Sequence, residues 1–250
     1  MNKELAIVTG GGNGIGAKVC QMLIKKDIYV VIVDNDKKCL SNDWLKEAIN
    51  NKQVDFELLD CRDVVGIESL VKNILSKYSR IDILVNNVGG NTEKRSIENL
   101  DDSYLKDTFN QNFYTAINFL RVVTPAMRNR KYGRIVNVTS IAGRTFSYFS
   151  NAAYVSSKAA LIGLTKQLAF EEARYNISVN SVSPGPIGTD RIKEAWENKS
   201  ETEKSSIMGL IPSNRFGEVE EAAEAIVYLC SKNAGYCNGV TLDVNGGMFI

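Results

Sequence analysis

The chain has 250 residues, of which 44% are hydrophobic and 24% are charged, and both fractions are ordinary for a globular protein. Its formal net charge of +1 gives no reason to expect a nucleic acid or an anionic membrane as a partner. The sequence contains no histidine, which excludes Ser–His and Cys–His nucleophilic sites and removes the commonest metal ligand. We therefore expect no metal site, and we expect acid–base chemistry to depend on Tyr, Lys, Cys, Asp or Glu.

The cysteines and the start of the chain indicate the cellular compartment of the protein. The five cysteines are scattered and none has CxxC spacing, which favours free thiols in a reducing compartment over disulfides or zinc. The first residues run straight into a predicted strand, so we expect no signal peptide. No apolar run approaches the ~18 residues of a membrane span. The sequence thus predicts a cytoplasmic protein.

Short β-branched runs alternate with longer amphipathic stretches along the chain. The predicted strands lie at residues 5–8, 28–33, 54–59, 81–85, 133–138, 177–182 and 240–244. The predicted helices lie at residues 14–26, 64–78, 105–130, 154–175 and 219–231. This alternation predicts an α/β fold, a Rossmann-type doubly wound parallel sheet with helices on both faces. Residues 1–250 are expected to form a single domain, in which the polar, partly helical segment 187–216 is a loop or lid.

A glycine-rich segment follows the first predicted strand and precedes a helix. It reads Thr9-Gly10-Gly11-Gly12-Asn13-Gly14-Ile15-Gly16, and its glycines allow backbone N–H groups to approach a pyrophosphate at the helix start. Asp34 ends the second strand, where a carboxylate can accept both ribose hydroxyls of NAD and would repel the 2′-phosphate of NADP. Neither the glycine segment nor Asn35 supplies a cation to balance that phosphate. The predicted cofactor is therefore NAD.

Two further strand ends are expected to border the cofactor. Asp60 and Cys61 follow the third strand and are placed to meet the adenine, while the segment Asn86-Asn87-Val88-Gly89-Gly90 follows the fourth strand. Either segment could equally be an ordinary turn. Together, the segments after the first four strands give these predicted cofactor contacts: Gly10, Asn13, Gly14, Ile15, Gly16, Asp34, Asn35, Asp60, Cys61, Asn87, Val88 and Gly89.

Tyr154 and Lys158 open the predicted helix after the fifth strand. Residues four apart lie one turn from each other on the same helix face. A neighbouring ammonium favours the phenolate form of a tyrosine, and such a tyrosine can exchange a proton with a substrate hydroxyl. Pairs with this spacing also arise by chance on helices, so the pattern by itself is weak.

Taken together, these motifs resemble the short-chain dehydrogenase/reductase family in its shorter branch, and the resemblance covers essentially the whole chain. The matching positions are Thr9-Gly10-x-x-x-Gly14-Ile15-Gly16, Asp60, Asn86-Asn87-x-Gly89, Asn112, Ser140, Tyr154-x-x-x-Lys158 and Pro184-Gly185-Pro186-Ile187-Gly188-Thr189. The resemblance implies a hydride transfer between nicotinamide and a secondary alcohol or ketone. The sequence departs from the family pattern at Val88 and at Asn245. It also has a longer, aromatic loop between Ser140 and Tyr154.

The resemblance also implies roles for individual residues. Tyr154 would be the catalytic acid/base, and Lys158 would lower its pKa and bind the nicotinamide ribose. Ser140 would hydrogen-bond the reacting oxygen, and Asn112 would hold a water that links Lys158 to solvent. The segment 184–189 would wrap the nicotinamide, and the contacts it implies are Pro184, Gly185, Ile187 and Thr189.

The substrate is expected to be a small alcohol or ketone, in a pocket built from residues 90–95, 141–151 and 187–216. Arg144 follows Ser140 in the loop expected to border this pocket, and Arg191 and Lys193 begin the lid. One guanidinium facing the pocket would favour a carboxylate or phosphate on the substrate, although a loop arginine can also be merely solvated. Family resemblance and the apolar residues of helices 105–130 and 154–175 predict a homotetramer or homodimer.

Three other functions are considered. A catalytically silent NAD-sensing protein could keep this fold, but such proteins usually lose the tyrosine or the lysine. A sugar epimerase or dehydratase would need ~100 further residues for a sugar-nucleotide domain. An enoyl reductase would space its tyrosine and lysine differently.

Overall fold

The computed structural model describes residues 3–91 and 93–250. Within them, seven strands form one parallel sheet in the order β3-β2-β1-β4-β5-β6-β7. The strands are β1 (Leu5–Thr9), β2 (Tyr29–Asp34), β3 (Val54–Leu58), β4 (Ile83–Asn86), β5 (Gly133–Val138), β6 (Ile177–Pro184) and β7 (Thr241–Val244). The strand order reverses at β1 and β4, which confirms the predicted doubly wound, Rossmann-type sheet.

The helices in the described part of the chain cover both faces of the sheet. They are α1 (Gly14–Lys25), α2 (Asp43–Asn50), α3 (Val64–Tyr78), α4 (Asp102–Phe109), α5 (Thr115–Arg130), α6 (Ala152–Glu172), α7 (Asp190–Glu197), α8 (Glu201–Met208) and α9 (Val219–Cys230). One core lies between the sheet and α3, α5 and α6, and the other lies between the sheet and α1, α2 and α9. Successive residues of β1 point to opposite cores, as Leu5 and Ala6 do, because side chains alternate along a strand.

The helix predicted at residues 105–130 is the largest departure from the sequence-based elements. It begins earlier, at Asp102, because the Asp101 carboxylate accepts a hydrogen bond from the Tyr104 N–H at 2.8 Å and so caps the first turn. A π-helical turn, Asn110–Tyr114, then separates α4 from α5. Hydrophobic spacing does not reveal such a turn, since it inserts a single residue into an otherwise regular helix.

The segment 187–216 is more ordered than a simple loop. It contains α7 and α8, and α8 begins at a capping box in which Ser200 and Glu203 each bond the other's backbone N–H. The helix α2, which the sequence did not predict, has only eight residues. Helical periodicity is read over windows of about 11–18 residues, which a helix of this length does not fill.

Several further features bear on the sequence-based expectations. No helix in residues 3–91 and 93–250 is both long enough and apolar enough to span a bilayer. In the same ranges, no cluster of three or more Cys, Asp or Glu side chains is arranged to hold a metal ion. Of the stretch 90–95 expected to border the substrate, Thr92 lies outside the described residues, as do Met1 and Asn2 at the start of the chain.

Candidate active site

The glycine segment forms a tight turn between β1 and α1. Gly10 and Gly14 have φ values of 61° and 54°, a backbone region that side-chain-bearing residues rarely adopt. A Cβ on Gly16 would overlap the carbonyl oxygen of Gly10, so only glycine lets α1 pack this close to the strand. Asn87 holds the turn from β4, since its Nδ2 donates to the carbonyl of Gly10 at 2.9 Å. The result is an open helix N-terminus suited to a pyrophosphate.

Asp34 joins the glycine turn to the end of β2. Its Oδ2 accepts a hydrogen bond from the Gly12 N–H at 2.9 Å, and its Oδ1 accepts one from the Asp36 N–H at 3.0 Å. Each carboxylate oxygen has a second lone pair, so the group can still accept hydroxyl donors from the cleft. The carboxylate thus orders the turn and faces the cleft at the same time.

A cation that the sequence motifs did not indicate lies near this end of the cleft. Arg62 lines the cleft beside Cys61. Its guanidinium forms an ion pair with the Asp60 carboxylate, in which Nη2 donates to Oδ2 at 2.6 Å. The Arg62 hydrogen bonds keep the pKa of Asp60 below its usual range, so the pair stays ionised. Because Asp60 already balances it, this arginine adds little net positive charge.

Lys158 is the most buried cation of the site. It lies on α6 with 2% of its surface exposed, and its Nζ donates to the carbonyl oxygen of Val138, the last residue of β5, at 2.9 Å. Burial, together with the nearby charge of Arg191, lowers the pKa of Lys158 to about 7. The lysine therefore changes protonation state near neutral pH.

Tyr154 stands one turn before Lys158, where Asn151 caps the helix by accepting from the Tyr154 N–H at 3.2 Å. Lys158 Nζ lies 6.0 Å from the centre of the tyrosine ring. Burial raises the pKa of Tyr154, while the neighbouring Ser140 hydroxyl and the charge of Arg191 lower it, and the net direction is upward. This direction is opposite to the one expected from the Tyr–Lys spacing, because desolvation disfavours the phenolate.

Asn112 reaches the site from the π-helical turn. Its Oδ1 accepts a hydrogen bond from the Gly90 N–H at 2.7 Å, and its Nδ2 donates to the carbonyl of Thr108 at 2.9 Å. Only Gly89 separates it from the lysine, since a Cβ there would lie 2.7 Å from Asn112 Oδ1 and 2.9 Å from Lys158 Nζ. The turn therefore places an amide directly behind the Lys158 ammonium.

One cleft of about 570 Å³ along the carboxyl ends of the strands brings most of the predicted residues together. Its lining includes Gly10, Asn13, Gly14, Ile15, Asp34, Asn35, Asp60, Cys61, Asn87, Val88, Gly89, Ser140, Tyr154, Lys158, Pro184, Gly185, Ile187 and Thr189. Gly16 and Asn112 stand behind this surface, where they pack the glycine turn and Lys158.

The structure places Arg144 away from the cleft at which the sequence predicted it to meet the substrate. Its guanidinium lies 3.3 Å from the Asp243 carboxylate and 5.0 Å from the centre of the Phe249 ring, outside the cleft lining in the described residues. The partner Asp243 lies far away in sequence, so local sequence gave no sign of the ion pair. The arginine that does line the cleft is Arg191, at the start of α7.

Part of the cleft lining is aromatic and apolar. The residues in this group include Ile141, Phe146, Tyr148, Phe149, Ile192 and Met248. Ile192 and Phe149 also border a smaller cavity of about 80 Å³ under α7, together with Trp196 and Phe216. Sequence reasoning anticipated the aromatic loop but missed Met248, which only the return of the chain after β7 brings to the cleft.

A family model described as short chain dehydrogenase matches residues 4–200. The chain belongs to the short-chain dehydrogenase family. As a member of this family it is an oxidoreductase, and the ordered motifs on which the resemblance rested are now seen around one cleft.

The dehydrogenase has close counterparts among characterised proteins. It is 34% identical over 250 residues to the 3-oxoacyl-acyl-carrier-protein reductase FabG of Salmonella typhimurium, with 99% of this chain and 98% of that protein covered. It is 33% identical over 255 residues to nodulation protein G of Azospirillum brasilense, with 99% of each chain covered.

Solved structures agree with the fold. The dehydrogenase superimposes on YwfH, described as an NADPH dependent reductase involved in bacilysin biosynthesis, with a TM-score of 0.90 at 27% identity over 99% of each chain. It superimposes on levodione reductase with a TM-score of 0.89 at 25% identity, covering 98% of this chain and 96% of the other.

Proposed function

We propose that this dehydrogenase transfers a hydride between a nicotinamide dinucleotide and a secondary alcohol or ketone. The observation that carries the proposal is the convergence of Ser140, Tyr154 and Lys158 on the cleft that begins at the glycine turn. The residues fit the cofactor: the turn leaves an open helix N-terminus for a pyrophosphate, and a ribose-binding carboxylate stands at the end of β2. When bound, the dinucleotide accepts or supplies the hydride.

The chain's own residues handle the proton. The Tyr154 oxygen takes a proton from the substrate hydroxyl in oxidation and returns it to the carbonyl oxygen in reduction. Ser140 stands beside this phenol and orients the reacting oxygen. Lys158, with Asn112 behind it, would donate to the ribose hydroxyls of the bound dinucleotide, and it gains or loses a proton near neutral pH. Since several similar proteins are named as reductases, we favour ketone reduction as the working direction.

For the cofactor we propose NAD. Asp34 faces the cleft with its carboxylate, and Arg62, the cation found at that end, is balanced by Asp60. The 2′-phosphate of NADP would therefore meet a carboxylate without a free cation. The NADPH dependence stated for YwfH makes the opposite preference a real alternative.

We expect kcat/KM to favour NAD over NADP by at least ~100-fold, because an unbalanced like-charge contact costs several kcal/mol. Asp34→Asn should narrow this ratio at least ~10-fold, while the exposed Asp36→Asn should leave it unchanged. Steady-state kinetics with both cofactors measures the ratio. Equal kcat/KM values for the wild type with both cofactors would contradict the assignment of NAD.

The competing hypothesis is a catalytically silent NAD-sensing protein. The retention of Tyr154, Lys158, Ser140 and Asn112 around one cleft argues against it. Purified protein assayed for reduced-nicotinamide oxidation over a panel of ketones separates the two, because a sensor binds the cofactor without turnover.

We also propose that the dehydrogenase is a homotetramer, or a homodimer, in the cytoplasm. Of the apolar residues that suggested an interface, Phe119 and Leu161 belong to the core, whereas Phe170 on α6 is 83% exposed. Phe170 is therefore available for contact with a second subunit, which the family resemblance predicts. Light scattering should give a mass that is a multiple of 27.6 kDa, with Phe170→Lys lowering it; a monomer at working concentration would contradict this proposal.

A further inference from the structure

A second cation faces the cleft beside Lys158. Arg191 lies in the first turn of α7, and its guanidinium rests on the backbone of Gly90, where a Cβ would lie 2.6 Å from Nη2 and 2.7 Å from Cζ. Its charge lowers the pKa of both Lys158 and Tyr154. The guanidinium is therefore close to the residues that handle the reacting oxygen.

Arg191 differs from the other arginines that border this region. Arg62 is paired with Asp60 and Arg144 with Asp243, whereas no carboxylate within the described ranges lies in ion-pairing distance of Arg191. Its neighbour Asp190 lines the cleft as well but forms no ion pair with it. Two cations that share a cleft repel each other, and an anion between them would relieve that repulsion.

We propose that Arg191 binds an oxyanion, a carboxylate or a phosphate, carried by the substrate next to its reacting carbonyl. A guanidinium fork binds such groups with two parallel hydrogen bonds. The wall beyond it, formed by Phe146, Phe149 and Ile192, suits an apolar body. The substrate class is thus an oxo acid, or an oxo compound bearing a phosphate, with an aromatic or aliphatic chain. This inference rests on the proposed oxidoreductase function.

The cofactor's pyrophosphate is the other oxyanion that Arg191 could meet. The pyrophosphate position is set by the N-terminus of α1, and the residue that meets it there is Thr189, directly before α7, whose Cγ2 would lie 3.5 Å from a Cβ on Gly14. Arg191 instead rests on Gly90, next to the Gly89 that separates Asn112 from Lys158. This position is on the side of the catalytic residues, so we assign the guanidinium to the substrate.

The test compares acids with their uncharged esters. The probes are benzoylformate and levulinate, each beside its methyl ester, with wild type, Arg191→Gln and the control Lys193→Gln, which removes an exposed charge from the same helix. We expect Arg191→Gln to lower the ratio of kcat/KM for acid over ester by about 10- to 100-fold, the range for a hydrogen bond to a charged group. Lys193→Gln should change that ratio less than about 3-fold.

Two results would overturn the proposal. An unchanged acid-to-ester ratio in Arg191→Gln would mean that the guanidinium does not meet the substrate anion. A rise in the Kd of the reduced cofactor in Arg191→Gln, with acid and ester affected equally, would assign the guanidinium to the pyrophosphate.

A binding measurement separates this inference from the proposed function. Calorimetry of benzoylformate and its methyl ester with the cofactor-saturated protein needs no turnover. If wild type reduces no ketone, the oxidoreductase function fails; selective binding of the acid, lost in Arg191→Gln, would still support the anion site. Equal binding of acid and ester by wild type would refute it.

Discussion

Tyr154→Phe is expected to lower the turnover number by at least ~10²–10⁴-fold, the range for loss of a general acid/base. In the proposed function the phenol oxygen exchanges the proton, and phenylalanine keeps the ring but removes that oxygen. The proposed cofactor contacts are the glycine turn, Asp34 and Lys158, so the Kd of the cofactor should stay within a few-fold of the wild-type value. Steady-state kinetics and fluorescence titration of the cofactor measure the two quantities.

The matched comparison is Lys158→Ala. That change removes a buried cation that lines the cleft and that is proposed to bind the nicotinamide ribose, so both turnover and cofactor affinity should fall. A Tyr154→Phe variant that keeps a tenth or more of wild-type turnover, a loss under ~1.4 kcal/mol, would mean that another residue carries the proton.

Lys158→Met is expected to raise the free energy of unfolding at pH 7 and to lose this advantage as the pH rises. The pKa of Lys158 is about 7 in the folded protein because of burial and the charge of Arg191, whereas a lysine in an unfolded chain titrates near ~10.4. Between these values the unfolded chain binds the extra proton, so wild-type stability increases with pH. Below pH 7 the wild type bears the full stability cost of the buried ammonium. Above ~10.4 the lysine is neutral in both the folded and the unfolded chain, and that cost is absent.

Urea unfolding at pH 7 and at pH 9.5 measures the effect. The stability difference between Lys158→Met and wild type should shrink by about 3 kcal/mol across this interval. The control is Lys166→Met, an exposed lysine on the same helix, whose difference from wild type should not change with pH. A constant difference for Lys158→Met would show that the ammonium is not destabilised by its surroundings. A difference that shrinks with pH, as expected, would show that the buried ammonium lowers the free energy of unfolding, so that Lys158 is retained for function and not for folding.

The fold was largely predictable because its elements are long and periodic. The helix at 64–78 and the strand at 133–138 were predicted with the bounds that the structure gives, since buried parallel strands are continuous apolar runs and amphipathic helices repeat with their own period. The π-helical turn at Asn110–Tyr114 could not be predicted. The turn shifts the helix by one residue without altering the composition of the helix. Asn112 lies within this turn and is placed at the site by it.

The candidate site was predictable where a motif is local in sequence. The glycine turn, Asp34 and the Tyr154–Lys158 pair each lie within one strand end or one helix. The positions of the arginines depend on distant partners. Arg144 turns away because Asp243 attracts it, and Arg191 reaches the cleft because α7 folds back over Gly90. The upward shift of the Tyr154 pKa in this structure was not predicted either, because helical spacing does not report burial.

The most direct test of the account is single-turnover hydride transfer followed by stopped-flow absorbance of the reduced nicotinamide. Wild-type protein, saturated with reduced cofactor and mixed with a reactive ketone, should oxidise the cofactor in one exponential phase. Tyr154→Phe, with its cofactor binding verified by titration, should show that phase slowed by at least ~100-fold. A rate within tenfold of wild type in Tyr154→Phe, or no hydride transfer by the wild type with any ketone, would contradict the assignment of Tyr154 as the acid/base of a nicotinamide-dependent oxidoreductase.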